Sequence, residues 1–167
     1  MATSPALYRK MPYNTTEDFE YLGMVNDVPM TLIGRPTLPA NNYKELMTWI
    51  DQNKGKINLA NAGLGAASHL CGLMFQSAIK VDMTTVPYKG TAPAMNDLMG
   101  GQVDLLCDQT TNTTSQIEGK TVKAFAVTTA KRLNTPALKN LPTLQESGLK
   151  DFNVTIWHGM YAPKGTP

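Results

Sequence analysis

Ile57-Asn-Leu-Ala-Asn-Ala-Gly-Leu-Gly-Ala-Ala-Ser-His-Leu-Cys-Gly-Leu-Met-Phe75 reads as strand, glycine turn and helix. Ile57 and Leu59 open a short apolar run, Gly63 and Gly65 allow a sharp backbone turn, and Leu70, Leu73 and Met74 recur at helical spacing. The first amides of a helix lack intrahelical partners and carry the positive end of its dipole. A small anion or carboxylate can therefore sit there without a cationic side chain. A glycine turn between strand and helix is also an ordinary connection in any α/β protein, so the stretch alone does not separate a ligand loop from a plain one. A dinucleotide loop is the sharper competitor, because Gly63-x-Gly65-x-x-Ser68 mimics its fingerprint with the third glycine replaced. It fails on context: the acid expected about 20 positions on, at the end of the next strand, is represented only by Asp82, which precedes the run Met83–Val86.

Composition narrows the classes. At 167 residues, 42% hydrophobic and 17% charged, the chain has room for one good core, or one domain plus part of a second. Its 15 basic and 13 acidic residues are scattered, so neither a nucleic-acid stripe nor a membrane-surface patch is expected. No apolar run approaches the ~20 residues needed to span a bilayer, and the opening residues lack a signal peptide's apolar core, so no direct membrane insertion is expected. Cys71 and Cys107 are too few for a disulfide framework and read as buried thiols, with a single bridge as the alternative in an oxidising compartment.

Moving outward from the glycine loop, Tyr43, Leu46, Met47 and Ile50 predict an amphipathic helix over Asn42–Asn53. Upstream, Leu22–Val25 and Met30–Ile33 read as two short strands joined by a bend at Asn26-Asp27 and Pro29, and Gly34–Pro39 as a connector. Downstream come a strand near Met83–Pro87, a loop at Tyr88–Pro93 leading into a helix stopped by Gly100-Gly101, and a strand at Val103–Cys107. A polar loop at Asp108–Asn112, a strand at Lys123–Thr128, a short helix at Leu144–Ser147 and a strand at Val154–Tyr161 complete the chain. The alternation predicts an α/β fold with a mainly parallel sheet, whose ligands gather at the carboxyl ends of its strands. Asn61–Ser68, Tyr88–Ala92 and Asp108–Asn112 meet that condition.

Catalytic chemistry is hard to assemble. His69 and His158 are the only histidines, neither has a nucleophile in a recognised setting, and His69-x-Cys71 has no second ligand pair to make a metal site. His69 reads as a structural residue of a first helical turn. Asp108 reads as a base or, more commonly for a loop carboxylate, as a cap on neighbouring amides. A small hydrolase or lyase acting on a carboxylate is the runner-up function, and a detached effector-binding domain of a regulator the third.

Taken together, Gly63-Leu-Gly-Ala-Ala-Ser-His-Leu70, Val86-Pro-Tyr-Lys-Gly90, Leu98-Met-Gly-Gly-Gln-Val-Asp104 and Ala124-Phe-Ala-Val-Thr-Thr129, with Leu141-Pro-Thr143 and Gly148, closely resemble the Bug family. These are the extracytoplasmic solute receptors of tripartite tricarboxylate transporters. The resemblance covers nearly the whole chain from Ala6 and implies a periplasmic-binding-protein-like fold, with a parallel-rich sheet and helices on both faces. It also implies two α/β domains closing on a small carboxylate such as an acidic amino acid or a di- or tricarboxylate. A periplasmic location, membrane transporter components as partners, no cofactor, no metal and no catalysis follow in the same way. By position, Ala62, Gly63, Gly65, Ala66, Ala67 and Ser68 match a family ligand loop, Tyr88, Lys89 and Gly90 a second segment, and Asp108 a family acid. The hydroxyl of Ser68 or Thr91 joins the expected grip, with amides of Gly65 to Ser68 holding the carboxylate; no arginine falls in these loops, and Lys89 reads equally as side participant or solvated lysine. The family's members are longer, so residues 1–36 and 152–167 are expected to be pieces of a first domain, and 37–151 a whole second one.

Overall fold

The computed structural model describes residues Met1–Pro167 as α1 (Ser4–Leu7), β1 (Phe19–Gly34), α2 (Tyr43–Gln52), β2 (Asn58–Asn61), α3 (Ala67–Ile79), β3 (Thr84–Pro87), α4 (Thr91–Met99), β4 (Leu105–Gln109), α5 (Thr110–Glu118), β5 (Lys123–Val127) and β6 (Thr155–Pro163). The main sheet runs β3-β2-β4-β1-β5. β2 is parallel to β3 and β4, whereas β1 is antiparallel to β4 and β5, so four strands share one direction and β1 is reversed between them. The fold is α/β with a parallel-rich sheet, as the alternation predicts.

Strand alternation divides the core into two layers. Leu59, Leu105 and Cys107 pack on one face against Leu46 and Ile50 of α2 and Cys71 and Phe75 of α3. Ala60 and Leu106, one residue out of phase, face Ala94, Met95 and Leu98 of α4 on the other side. Helices therefore cover both faces. Asn42 starts α2 as its sequence suggests: its side-chain oxygen accepts the Glu45 N–H at 2.9 Å, while Glu45 reaches back to the Asn41 N–H at 2.7 Å.

Four expectations need correction. The two short strands before Gly34 are one 16-residue strand. Bulges at Tyr21/Gly23 and Met24/Asn26 absorb the irregularity read as a bend. Pro29, which cannot donate to a ladder, stands where β1 changes partners, pairing with Thr155 of β6 just before Met30 pairs with Gln109 of β4. Second, the polar run after Asp108 is not a loop but the start of α5, whose residues Thr-Thr-Asn-Thr-Thr-Ser-Gln-Ile-Glu are poor helix formers. Burial of Thr113, whose hydroxyl donates to Thr31 Oγ1 at 3.3 Å, supplies what propensity lacks. Third, Leu144–Ser147 is a set of hydrogen-bonded turns ended by Gly148 at φ 110°, too short to propagate as a helix. Fourth, Cys71 and Cys107 are not free thiols. They form a disulfide that bolts α3 to β4 across 36 residues of sequence, and both are buried.

Candidate functional site

Helices α3, α4 and α5 begin directly after the carboxyl ends of β2, β3 and β4, so three helix starts gather along one edge of the sheet. Hydrogen bonds weld their loops together. The Tyr88 N–H donates to the Asn61 carbonyl at 2.9 Å and the Gly90 N–H to the Ala62 carbonyl at 3.0 Å. Thr91 donates its hydroxyl proton to Asp108 Oδ2 at 2.8 Å. Gly63, at φ 126°, lies so close to this second loop that a Cβ would sit 3.2 Å from the Tyr88 carbonyl oxygen.

Inside the glycine loop most donors are already used. The Ala62 N–H donates to Ser68 Oγ at 2.9 Å, the Gly63 N–H to Asn61 Oδ1 at 2.9 Å, the Gly65 N–H to His69 Nδ1 at 3.1 Å, and the Ala66 N–H to the Gly63 carbonyl at 3.1 Å. Gly65 and Ala66, expected among the gripping amides, spend their hydrogens on the loop itself. The open donors are the Leu64 N–H and the first-turn amides of α3, Ala67, Ser68 and His69, which have no carbonyl four residues back within the helix. His69 is structural as expected: accepting at Nδ1 puts the proton of the neutral ring on Nε2.

Asp108 is buried and fully engaged. Its Oδ2 accepts from Thr91, and its Oδ1 accepts from the Gln109 N–H at 2.7 Å and from Asn112 Nδ2 at 3.2 Å. Of its two sequence readings, the geometry selects the cap that ties α4 to α5. Tyr88 is half-buried and donates its hydroxyl proton to Asp97 Oδ2 at 2.7 Å. Loss of solvent, then the hydrogen bond and charge of Asp97, push its hydroxyl up to about 12. It stays a neutral strut between loop and helix. Lys89 is exposed and makes no hydrogen bond or ion pair within the chain. Arg35 is held by Asp104 at 2.9 Å and Arg132 by Glu146, both away from the three loops.

A cavity of about 410 Å³ opens beside the start of α3, lined there by Gly65, Ala67 and Leu70. Its opposite walls are Thr155–Gly159 and Tyr161 of β6 and the opening residues Met1, Ala2 and Thr3. Tyr88, Lys89, Thr91 and Asp108 do not line it. The opening segment, unremarkable as sequence, closes over the loop: Thr3 Oγ1 donates to the Gly65 carbonyl at 3.3 Å, and a Cβ on Gly65, at φ 76°, would fall 2.1 Å from Leu7 Cδ1. Nothing in Ser4-Pro5-Ala6-Leu7 as sequence announces α1, and four residues are too few to carry a helical pattern.

The family model described as Tripartite tricarboxylate transporter family receptor matches residues 1–167. The chain belongs to that receptor family. Among solved structures, the periplasmic binding protein BugD is 60% identical, with a TM-score of 0.89 over 99% of this chain and 55% of that one. An R. palustris protein solved with adipate is 34% identical at a TM-score of 0.90, over 96% of this chain and 53% of that one. MatC from Rhodopseudomonas palustris, with bound malate, is 34% identical at 0.86, over 97% of this chain and 54% of that one. These are binding receptors and not enzymes. The receptor chain spans about half the length of the curated relatives it matches, 48% of the first. None of its helices is long and apolar enough to cross a membrane.

Proposed function

We propose that this receptor chain captures a small carboxylate, of the dicarboxylate or acidic amino-acid class, and presents it to the membrane components of a tripartite transporter. The observation that carries this is the open first turn of α3, where the amides of Ala67, Ser68 and His69 are unused and Ala67 lines a cavity of about 410 Å³. A helix start contributes about 0.3–1 kcal/mol to an exposed anion and up to about 2 kcal/mol in partly buried geometries, so aligned amides can stand in for an arginine clamp. The adipate and malate carried by the two R. palustris neighbours are both dicarboxylates, which supports the class. A buried disulfide is at home in an oxidising compartment and supports a periplasmic location.

On this reading the body, including the half of β1 at residues 30–34 that lies between β4 and β5, is one lobe of a two-lobed receptor, and the half of β1 at residues 19–29 with β6 belongs to the other, so the division falls inside β1 and not at residues 36/37. Exposed apolar residues support the division: Tyr21 and Met24 of β1 and Trp157 and Met160 of β6 pair only with each other's strands, and Leu22 and Val25 stand exposed at the two bulges between them. Ala62, Gly63, Gly65 and Ala66 then shape the loop, Ala67 and Ser68 donate to the ligand, and Tyr88, Gly90, Thr91 and Asp108 hold the neighbouring helix starts in place. Lys89 is a solvated neighbour.

Calorimetry with malate, adipate, citrate and aspartate tests the reading. One of the four should bind without being consumed, and a longer receptor containing this chain should bind it about 100-fold more tightly, the worth of roughly two charged hydrogen bonds from a second lobe. Turnover of any of them, lost on Asp108→Asn, would favour the hydrolase or lyase reading instead.

A further inference from the structure

Asn61 stands at the last position of β2 and is 1% exposed, yet its Nδ2 has no acceptor within the chain. Its Oδ1 is fixed by the Gly63 N–H at 2.9 Å, so the amide cannot be turned over to relieve the orphan without facing that N–H with another donor. A buried donor left without a partner costs about 1–3 kcal/mol, and such groups are few in folded proteins.

The direction of this donor follows from the strand. Leu59 packs among Cys71 and Phe75 of α3, and Ala60 packs against Ala94 and Leu98 of α4. Asn61, in phase with Leu59, is on the α3 side of the sheet. The start of α3 is directly adjacent, because the next residue, Ala62, donates its N–H to Ser68 Oγ at 2.9 Å. The orphaned Nδ2 and the open amides of Ala67, Ser68 and His69 therefore lie on the same side of β2, tied together by the bond from Ala62 to Ser68.

Building on the carboxylate site described above, we propose that Asn61 is a ligand-binding residue: its Nδ2 donates to the carboxylate seated on the first turn of α3. One oxygen of that carboxylate takes the helix amides and the other takes Asn61. Because Asn61 is 1% exposed, binding on this proposal includes a displacement of Leu64 and Gly65 that leaves the Gly63 N–H on Oδ1. Asn61 then reads a planar group with two acceptor oxygens, which makes it a specificity residue for carboxylates over alcohols and amides. Nothing in Asn61-Ala62-Gly63 as sequence separates it from an ordinary turn asparagine; burial without a partner does.

Two measurements on the 167-residue chain test this. In nitrogen-edited NMR, titration with malate or adipate should move the Asn61 side-chain NH2 signals together with the amides of Ala67, Ser68 and His69. Movement of those amides with a still Asn61 would overturn this inference and leave the carboxylate site standing, whereas no movement with either probe would overturn both. Asn61→Asp keeps the acceptor for Gly63 and replaces the donor by a carboxylate oxygen. It should weaken binding of the same probes by 100-fold or more in a variant whose circular dichroism matches that of the parent chain, with some loss of thermal midpoint from the buried charge. Binding within threefold of the parent chain would show that Asn61 only caps Gly63. If the variant fails to fold, the NMR titration of the parent chain still decides.

Discussion

The helix-covered body and the ribbon of β1 with β6 use similar residues and treat them in opposite ways. In the body, Leu59, Leu105, Phe75 and Phe125 are at most 2% exposed, each answered by a second layer. In the ribbon, Tyr21, Leu22, Met24, Val25, Trp157 and Met160 are 48–62% exposed, and what holds them is strand pairing plus ring contacts such as Tyr21 on Tyr161, 5.5 Å between centroids. An apolar residue contributes according to what covers it and not according to its type. The body can thus carry a preorganised helix start, and the ribbon serves as a wall of the cavity and as a surface for other chain to cover.

Substitutions ordered by expected cost would break or sharpen that contrast. Phe125→Ala should cost about 3–5 kcal/mol in urea unfolding, since a fully buried ring between two layers leaves a cavity. A cost below 1 kcal/mol would mean that the body repacks freely. Replacing Cys71 and Cys107 together by Ala should cost about 2–4 kcal/mol, the range for a bridge closing a 36-residue separation. Because Cys71 lies one turn past the open amides and Cys107 beside Asp108, the same variant should also weaken carboxylate binding measurably by calorimetry; unchanged affinity would show that packing alone positions α3.

Thr91→Val is expected to cost about 1–2 kcal/mol, because Asp108 Oδ2 loses its hydrogen-bond donor while remaining buried. A thermal melt reads it, and a neutral result would place water at Oδ2. The smallest effect belongs to the ribbon: Leu22→Ser and Trp157→Ser should each stay within about 0.5 kcal/mol, as exposed substitutions do. A loss approaching that of Phe125→Ala would reveal that the ribbon is covered in solution, and sedimentation would then show a second copy of the chain.

Much of the body was legible beforehand because its signals are local. Tyr43, Leu46 and Ile50 repeat at helical spacing and are buried together, and Asn42 caps them through its own side chain. Ribbon and site were less legible because their deciding contacts are distant in sequence. Asn26-Asp27 reads as a turn until β6 lies beside it, more than a hundred residues later, and accepts the bulge. The helix at Thr110–Glu118 has weak intrinsic support and depends on Thr31, 82 positions away.

The sequence by itself determined the strand, glycine turn and helix around Gly63, the α/β alternation and the absence of an arginine from the three loops, since each rests on residue type and short-range spacing. Only the tertiary structure decided which amides are open, that Asp108 is a cap, that Cys71 meets Cys107, and that Asn61 is a buried donor without an acceptor. Each of those facts depends on which groups remain unpaired after distant segments meet, and hydrogen-bond satisfaction is a property of the packed chain, not of any stretch of it.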